Sequence, residues 1–153
     1  MSHLTHHIIP WERVAALGRG ASPRACGAVV TFVGVVRPDN DGGRTVVALD
    51  YEAYDAMAEN QIERLVIEAQ HRWVLDAVEI EHRIGRIEVG HIGVAIVVAA
   101  KHRADAYAAS MFLMDEIKRI VPIWKRTRYD NGTSEWAACV SDMDSVGAVH
   151  AHV

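Results

Sequence analysis

The sequence predicts an α+β domain with a largely antiparallel sheet, its elements in the order ββαββαββ. Three observations carry this prediction. Residues 55–73 and 103–121 repeat apolar side chains at helical spacing. Around them lie runs that either alternate at period two or are apolar and β-branched throughout. Near the end, Asp130-Asn131-Gly132 separates two such runs and is a strong hairpin signal.

Taken in order, residues 1–25 read as a mobile segment with one short helical turn over 11–17. His3, His6 and His7 fall within it, but nothing supplies a fourth ligand at a fixed spacing, so no metal site is expected. Residues 27–36 are apolar on both faces and predict a central strand. Gly34 interrupts it, implying a bulge or the close approach of another backbone. Pro38 stops that strand, and 39–43 form a flexible turn rich in Asp, Asn and Gly. Residues 45–52 alternate and should pair back as a half-exposed strand.

In the first long helix, Ala58, Ile62, Leu65, Val66, Ala69 and Trp73 form the apolar stripe. Val78, Ile80, His82 and Ile84 then share one side of a strand, where His82 reads as a hydrogen-bonded core residue. After a turn over 85–91, residues 93–100 predict a fully buried strand. The second long helix starts near Arg103 and stops at Val121, because Pro122 disfavours helix at the residue before it. The hairpin 123–129 and 133–140 follows. The folded domain is expected to span 26–141, with 142–153 as a tail whose His150 and His152 carry no assigned role.

At 153 residues the chain is most simply one domain. A net charge of -4 argues against a general nucleic-acid coat, so any cationic site must be local. Cys26 and Cys139 lack CxxC spacing and read as reduced thiols. The first residues have no signal-peptide core, and the apolar run 92–100 is too short to cross a bilayer. These features predict a cytoplasmic protein without a cofactor.

The chemistry concentrates in cations around the second long helix: Arg37 at a strand end, His102 and Arg103 at the helix start, and Lys118, Lys125 and Arg126 at its far end. Lysine in a last helical turn is ordinary, since it complements the helix dipole. Arg103 is less so, because a cation at a helix start is unfavourable unless an anion arrives. Lys118 closes the stripe Tyr107, Met111, Met114, which is expected to face the core. Partial desolvation there, beside Lys125 and Arg126, would lower its pKa and make a usable acid, base or nucleophile. His102 and Lys118, 16 residues apart, stand roughly 24 Å apart along one helix. They cannot hold one small ligand within a single chain, so they serve different sites or meet across a two-fold dimer.

Thr31-Phe32-Val33-Gly34-Val35-Val36-Arg37, His82-Arg83-Ile84-Gly85, His102-Arg103, Met114-Asp115-Glu116-Ile117-Lys118 and Pro122-Ile123-Trp124-Lys125-Arg126 resemble, in order and spacing, the large catalytic subunit of molybdopterin synthase. The resemblance covers residues 27–136. It implies an α/β hammerhead fold and the transfer of two sulfurs to a cyclic pyranopterin monophosphate, precursor Z, to form the dithiolene of molybdopterin in molybdenum cofactor biosynthesis. It implies a small ubiquitin-like partner that carries sulfur as a thiocarboxylate on a C-terminal Gly-Gly, and a dimer of large subunits with one small subunit at each end. On this resemblance Lys118 and Lys125 are catalytic, while Arg37, His102, Arg103, Arg126 and Met114 hold the substrate. Acid/base and covalent roles for Lys118 both stay open. The chain departs from the pattern at Val35, where a lysine is common, and at Val140, where an arginine is common.

Three rivals are weighed against this reading. A non-catalytic module for a phosphorylated ligand or ubiquitin-like tail would use the same cations without turnover. A persulfide sulfurtransferase would need a cationic loop to lower the thiol pKa of Cys26 or Cys139, and neither has one. A single-stranded RNA binder using Lys125, Arg126, Arg128 and Trp136 is disfavoured by the acidic net charge.

Overall fold

The computed structural model describes residues 2–21 and 25–137. Cys139, Val140, His150 and His152 lie outside the described residues. The elements are β1 (Leu4–Thr5), α1 (Trp11–Gly20), β2 (Ala28–Val35), β3 (Asn40–Asp41), β4 (Arg44–Ala53), α2 (Asp55–Arg72), β5 (Leu75–Arg83), β6 (Gly85–Glu88), β7 (Ile92–Ala100), α3 (Arg103–Ile120), β8 (Ile123–Tyr129) and β9 (Ser134–Trp136). The expected α+β class is observed, and β1, α1, β3 and β6 are additions to the expected order.

Two sheets divide the strands. The first runs β1-β5-β7-β2, and the second β3-β4-β8-β9 with β6 on the other side of β4. Only β1 with β5 is parallel among the described pairs; the rest are antiparallel. Every residue of β7 is buried. Its even-numbered residues from Val94 to Ala100 pack under α2 and α3, with Ile62, Leu65, Leu113 and Ile117. Ala95, Val97 and Ala99 on the opposite side pack under α1, with Val14 and Leu17. An uninterrupted apolar run is what a strand covered on both faces requires.

Two expectations are corrected here. Residues 27–36 do not form a central strand: β2 is an edge of its sheet, and Val29 and Thr31 are exposed. Its apolar character reflects the helix α3 lying over one face, and the strand between two neighbours is β7. The N-terminal residues are also more than a tail with one turn. Backbone N–H groups of His3 and Leu4 donate to Glu59 of α2 at 2.8 and 2.9 Å, and β1 joins the sheet beside β5. Ile9, Val14, Leu17 and Ala21 are buried. Short polar segments hide such docking, because their partners are distant in sequence.

Gly34 behaves as expected: the β2–β7 register slips between Gly34 and Val35, and the Gly34 carbonyl oxygen lies against Gly93. The bulge turns the chain so that Val36 joins a third apolar cluster with Val46, Leu49, Ile87 and Tyr129 under the second sheet. Arg37 follows directly, at the seam between the two sheets. Among the described residues, no helix is long and apolar enough to cross a membrane.

Candidate active site

Helix α3 leaves β7 after only two residues, Lys101 and His102. His102 is its N-cap, with extended backbone and no side-chain capping bond. No N-cap side chain accepts from the first-turn N–H groups, which stand at the positive end of the helix dipole. A cleft of about 530 Å³ opens there, lined by Gly27, Lys101, His102, Arg103, Ala104 and Tyr107. Gly27 has to be glycine, since a Cβ would overlap the Lys101 carbonyl oxygen. The turn can close only over a bare backbone.

The helix meets the core through Ala106, Ala109, Ser110, Leu113, Met114 and Ile117. This corrects the expected stripe. Tyr107 and Met111 are 65% and 70% exposed, and Lys118 is exposed as well. Two adjacent helical faces satisfy the same spacing, and the one with small residues lets the helix approach the sheet closely. Met114 alone of the four expected core residues is buried.

At the far end of α3, Lys118 and Arg37 both come within electrostatic reach of Lys125. The lowered amine is Lys125: burial depresses it most, the Lys118 charge and that of Arg37 push the same way, and Asp39 opposes them. Burial penalises the ammonium form, and neighbouring cations penalise it further. Arg37 Nε donates to Asp39 Oδ2 at 2.9 Å, which holds the guanidinium at the end of the bulged strand. Sequence reasoning had read Asp39 only as part of a flexible turn.

Arg126 is not part of this group. Along β8 successive side chains alternate between faces. Lys125 stands opposite Tyr51 of β4, while Arg126 stands opposite Asp50 on the reverse face. There the nearly buried Asp50 accepts from both Arg126 and Arg128, and Arg126 lies over the Trp136 ring at 5.0 Å. Asp50 went unnoticed in the sequence because one acid in an alternating strand looks like a solvent-facing position.

One compositional signal was legible and missed. The chain has three lysines, Lys101 and Lys125 on either side of α3 and Lys118 in its last turn, while every other fixed cation is arginine. Lysine differs from arginine in losing its proton readily when desolvated. His82 is a core histidine as expected: it is buried, its Nδ1 lies 3.0 Å from the Arg83 carbonyl oxygen, and burial pushes its pKa down to about 4. Among the described residues no group of three or more potential metal ligands is gathered.

These positions can be set beside known proteins. A family model described as MoaE protein matches residues 4–120, from β1 to the last residue of α3. The chain belongs to the MoaE family. A molybdopterin synthase catalytic subunit from Halalkalibacterium halodurans is 46% identical over 106 residues, covering 69% of this chain and 67% of that protein. One from Nostoc is 38% identical over 136 residues, covering 88% and 80%. The crystal structure of molybdopterin synthase from Staphylococcus aureus superposes with a TM-score of 0.81 at 34% identity, over 90% of this chain and 96% of that one. This MoaE chain is thus an enzyme subunit of molybdenum cofactor biosynthesis, and its two-sheet α+β fold is that of molybdopterin synthase.

Proposed function

We propose that the chain transfers sulfur from the C-terminal thiocarboxylate of a small ubiquitin-like subunit to precursor Z, with Lys118 and Lys125 as the reacting amines. The observation that carries this reading is the depressed Lys125 amine flanked by Lys118 and Arg37. An amine so placed has a larger neutral fraction near neutral pH than an ordinary lysine and can accept or deliver a proton. Opening a cyclic phosphate and displacing oxygen by sulfur both develop negative charge, which fixed cations in a partly dry site stabilise better than water does.

Arg37, His102 and Arg103 are the proposed anion-holding groups, and Met114 the apolar wall beside Lys118. Arg126 supports the sheet through Asp50 and acts at one remove. Because the two ends of α3 are roughly 24 Å apart, His102 and Arg103 reach the Lys118 group only from a second copy. The exposed Tyr107 and Met111, lying between the two cationic ends, supply the apolar surface such a pairing needs.

The relatives are named as catalytic subunits, which supports assembly with a further chain. The test is reconstitution with a thiocarboxylated ubiquitin-like protein ending in Gly-Gly. Formation of the dithiolene product, with the carrier returned as carboxylate, is the expected result. Tight binding of carrier and substrate with no sulfur transferred would leave only a binding module.

A further inference from the structure

We propose that Tyr51, braced by His82, is a positioning residue for Lys125, its ring forming the wall that keeps the Lys125 amine from water. The two residues are direct cross-strand partners on β4 and β8. In an antiparallel pair such partners share a face, with Cβ atoms about 5 Å apart. On its other flank Tyr51 is opposite Gly85 of β6, which has no side chain to share the space. Of the two residues directly opposite Tyr51 in the sheet, Lys125 is the one with a large side chain, and the ring also packs against the apolar cluster that contains Leu49 and Ile87.

The ring is also held from behind. His82 meets it edge-on, with centroids 5.2 Å apart and planes at 75°. His82 is buried and anchored at the Arg83 carbonyl oxygen, and its low pKa keeps it neutral near pH 7. A Cβ added at Gly93 of β7 would stand 4.0 Å from Tyr51 Cε2, so the bare β7 backbone passes close to the ring. Burial raises the Tyr51 hydroxyl to about 12, so it adds no charge beside the amine. The groups facing Lys125 include the Lys118 ammonium from α3, the Arg37 and Asp39 side chains from the loop after β2, and the uncharged Tyr51 from β4. The charged groups partly cancel, and burial is the largest influence on Lys125. Tyr51 is the large side chain directly opposite Lys125 that supplies it.

The part of this proposal that concerns turnover rests on the sulfur-transfer reading; the part that concerns the amine does not. With three lysines in the chain, 13Cε-lysine labelling gives three side-chain signals, and Lys125→Arg identifies the one that matters. Titration of that signal is compared in the parent chain, Tyr51→Phe and Tyr51→Val, each confirmed folded by its amide spectrum. Valine keeps a strand-forming residue while removing the ring. Tyr51→Val is expected to move the Lys125 midpoint upward by about one pH unit as water reaches the amine, and Tyr51→Phe to leave it in place. In the transfer assay, Tyr51→Val should lose about tenfold in kcat near neutral pH, recover as pH rises, and keep its KM. A Lys125 midpoint unmoved in Tyr51→Val overturns the proposal. So does a Tyr51→Phe midpoint that moves as far as that of Tyr51→Val. A moved midpoint with no sulfur transfer in any form would instead count against the sulfur-transfer reading alone.

Discussion

Arg126 Nε donates to Asp50 Oδ2 at 3.1 Å across two neighbouring strands. Arg128 Nε reaches the same oxygen at 2.6 Å, so one nearly buried carboxylate holds two guanidinium groups against the sheet. Asp50→Asn keeps the shape and removes the charge. It should cost about 2 kcal/mol, read as a fall of about 5 °C in Tm. Sulfur transfer by the surviving folded fraction should stay near that of the parent, since Arg126 faces away from Lys125.

Lys118 is exposed on the last turn of α3 and buries little that stability depends on. Lys118→Ala should therefore leave Tm within about 1 °C while abolishing sulfur transfer. Binding of the small subunit, followed by gel filtration, should persist. Near-normal turnover in Lys118→Ala would remove its catalytic assignment.

Gly27→Ala tests the corner that presents His102 and Arg103. The added methyl meets the Lys101 carbonyl oxygen, a backbone atom that cannot swing aside. Strain of about 2 kcal/mol is expected, with the loss seen in denaturant midpoint. Because the strained turn also lines the 530 Å³ cleft, KM for the anionic substrate should rise more than kcat falls.

His82 predicts an acid-sensitive step in stability. Its folded pKa lies near 4, well below the ordinary 6.5, because burial disfavours the imidazolium. A group depressed in the folded state contributes stability that is full above its unfolded pKa and lost as pH falls toward the folded one. Tm of the parent should thus decline between pH 6.5 and about 4 through this residue. His82→Leu should flatten that part of the curve, and an equal slope in both proteins would refute the assignment.

Glu59 adds a second, lower step. Burial would raise its pKa, but hydrogen bonds from Ser2, His3 and Leu4, together with the nearby His3, outweigh it and bring it below 4.5. Its contribution is present above that value and disappears on further acidification. Glu59→Gln should abolish this loss, and should speed amide exchange in β1 even at neutral pH.

Much of the architecture was readable because periodicity reports burial directly. The run that became β7 is apolar at every position, and the stripe Ala58, Ile62, Leu65, Val66, Ala69 marked the buried face of α2. The hairpin around Asp130-Asn131-Gly132 followed from turn chemistry, and Gly132 takes the positive φ that glycine tolerates. What failed was what depends on neighbours. The spacing of Tyr107, Met111, Met114 and Lys118 is compatible with either of two adjacent faces, and only the contact with β7 decides between them. Edge and centre look alike in an apolar strand such as β2. The candidate site was legible as residue types and illegible as geometry: Lys125 and Arg126 are adjacent in the chain, yet alternation sends them to opposite sides of β8.

One consequence follows from the nine buried residues of β7. Its amides should be among the slowest to exchange with deuterium, opening only when the whole molecule unfolds. Lys101, His102 and Arg103 begin where that strand ends, so the proposed anion-holding groups are anchored to a strand buried along its whole length. Such a seat needs no ordering when its occupant arrives, and the entropy that a loop would forfeit on capture is already spent during folding.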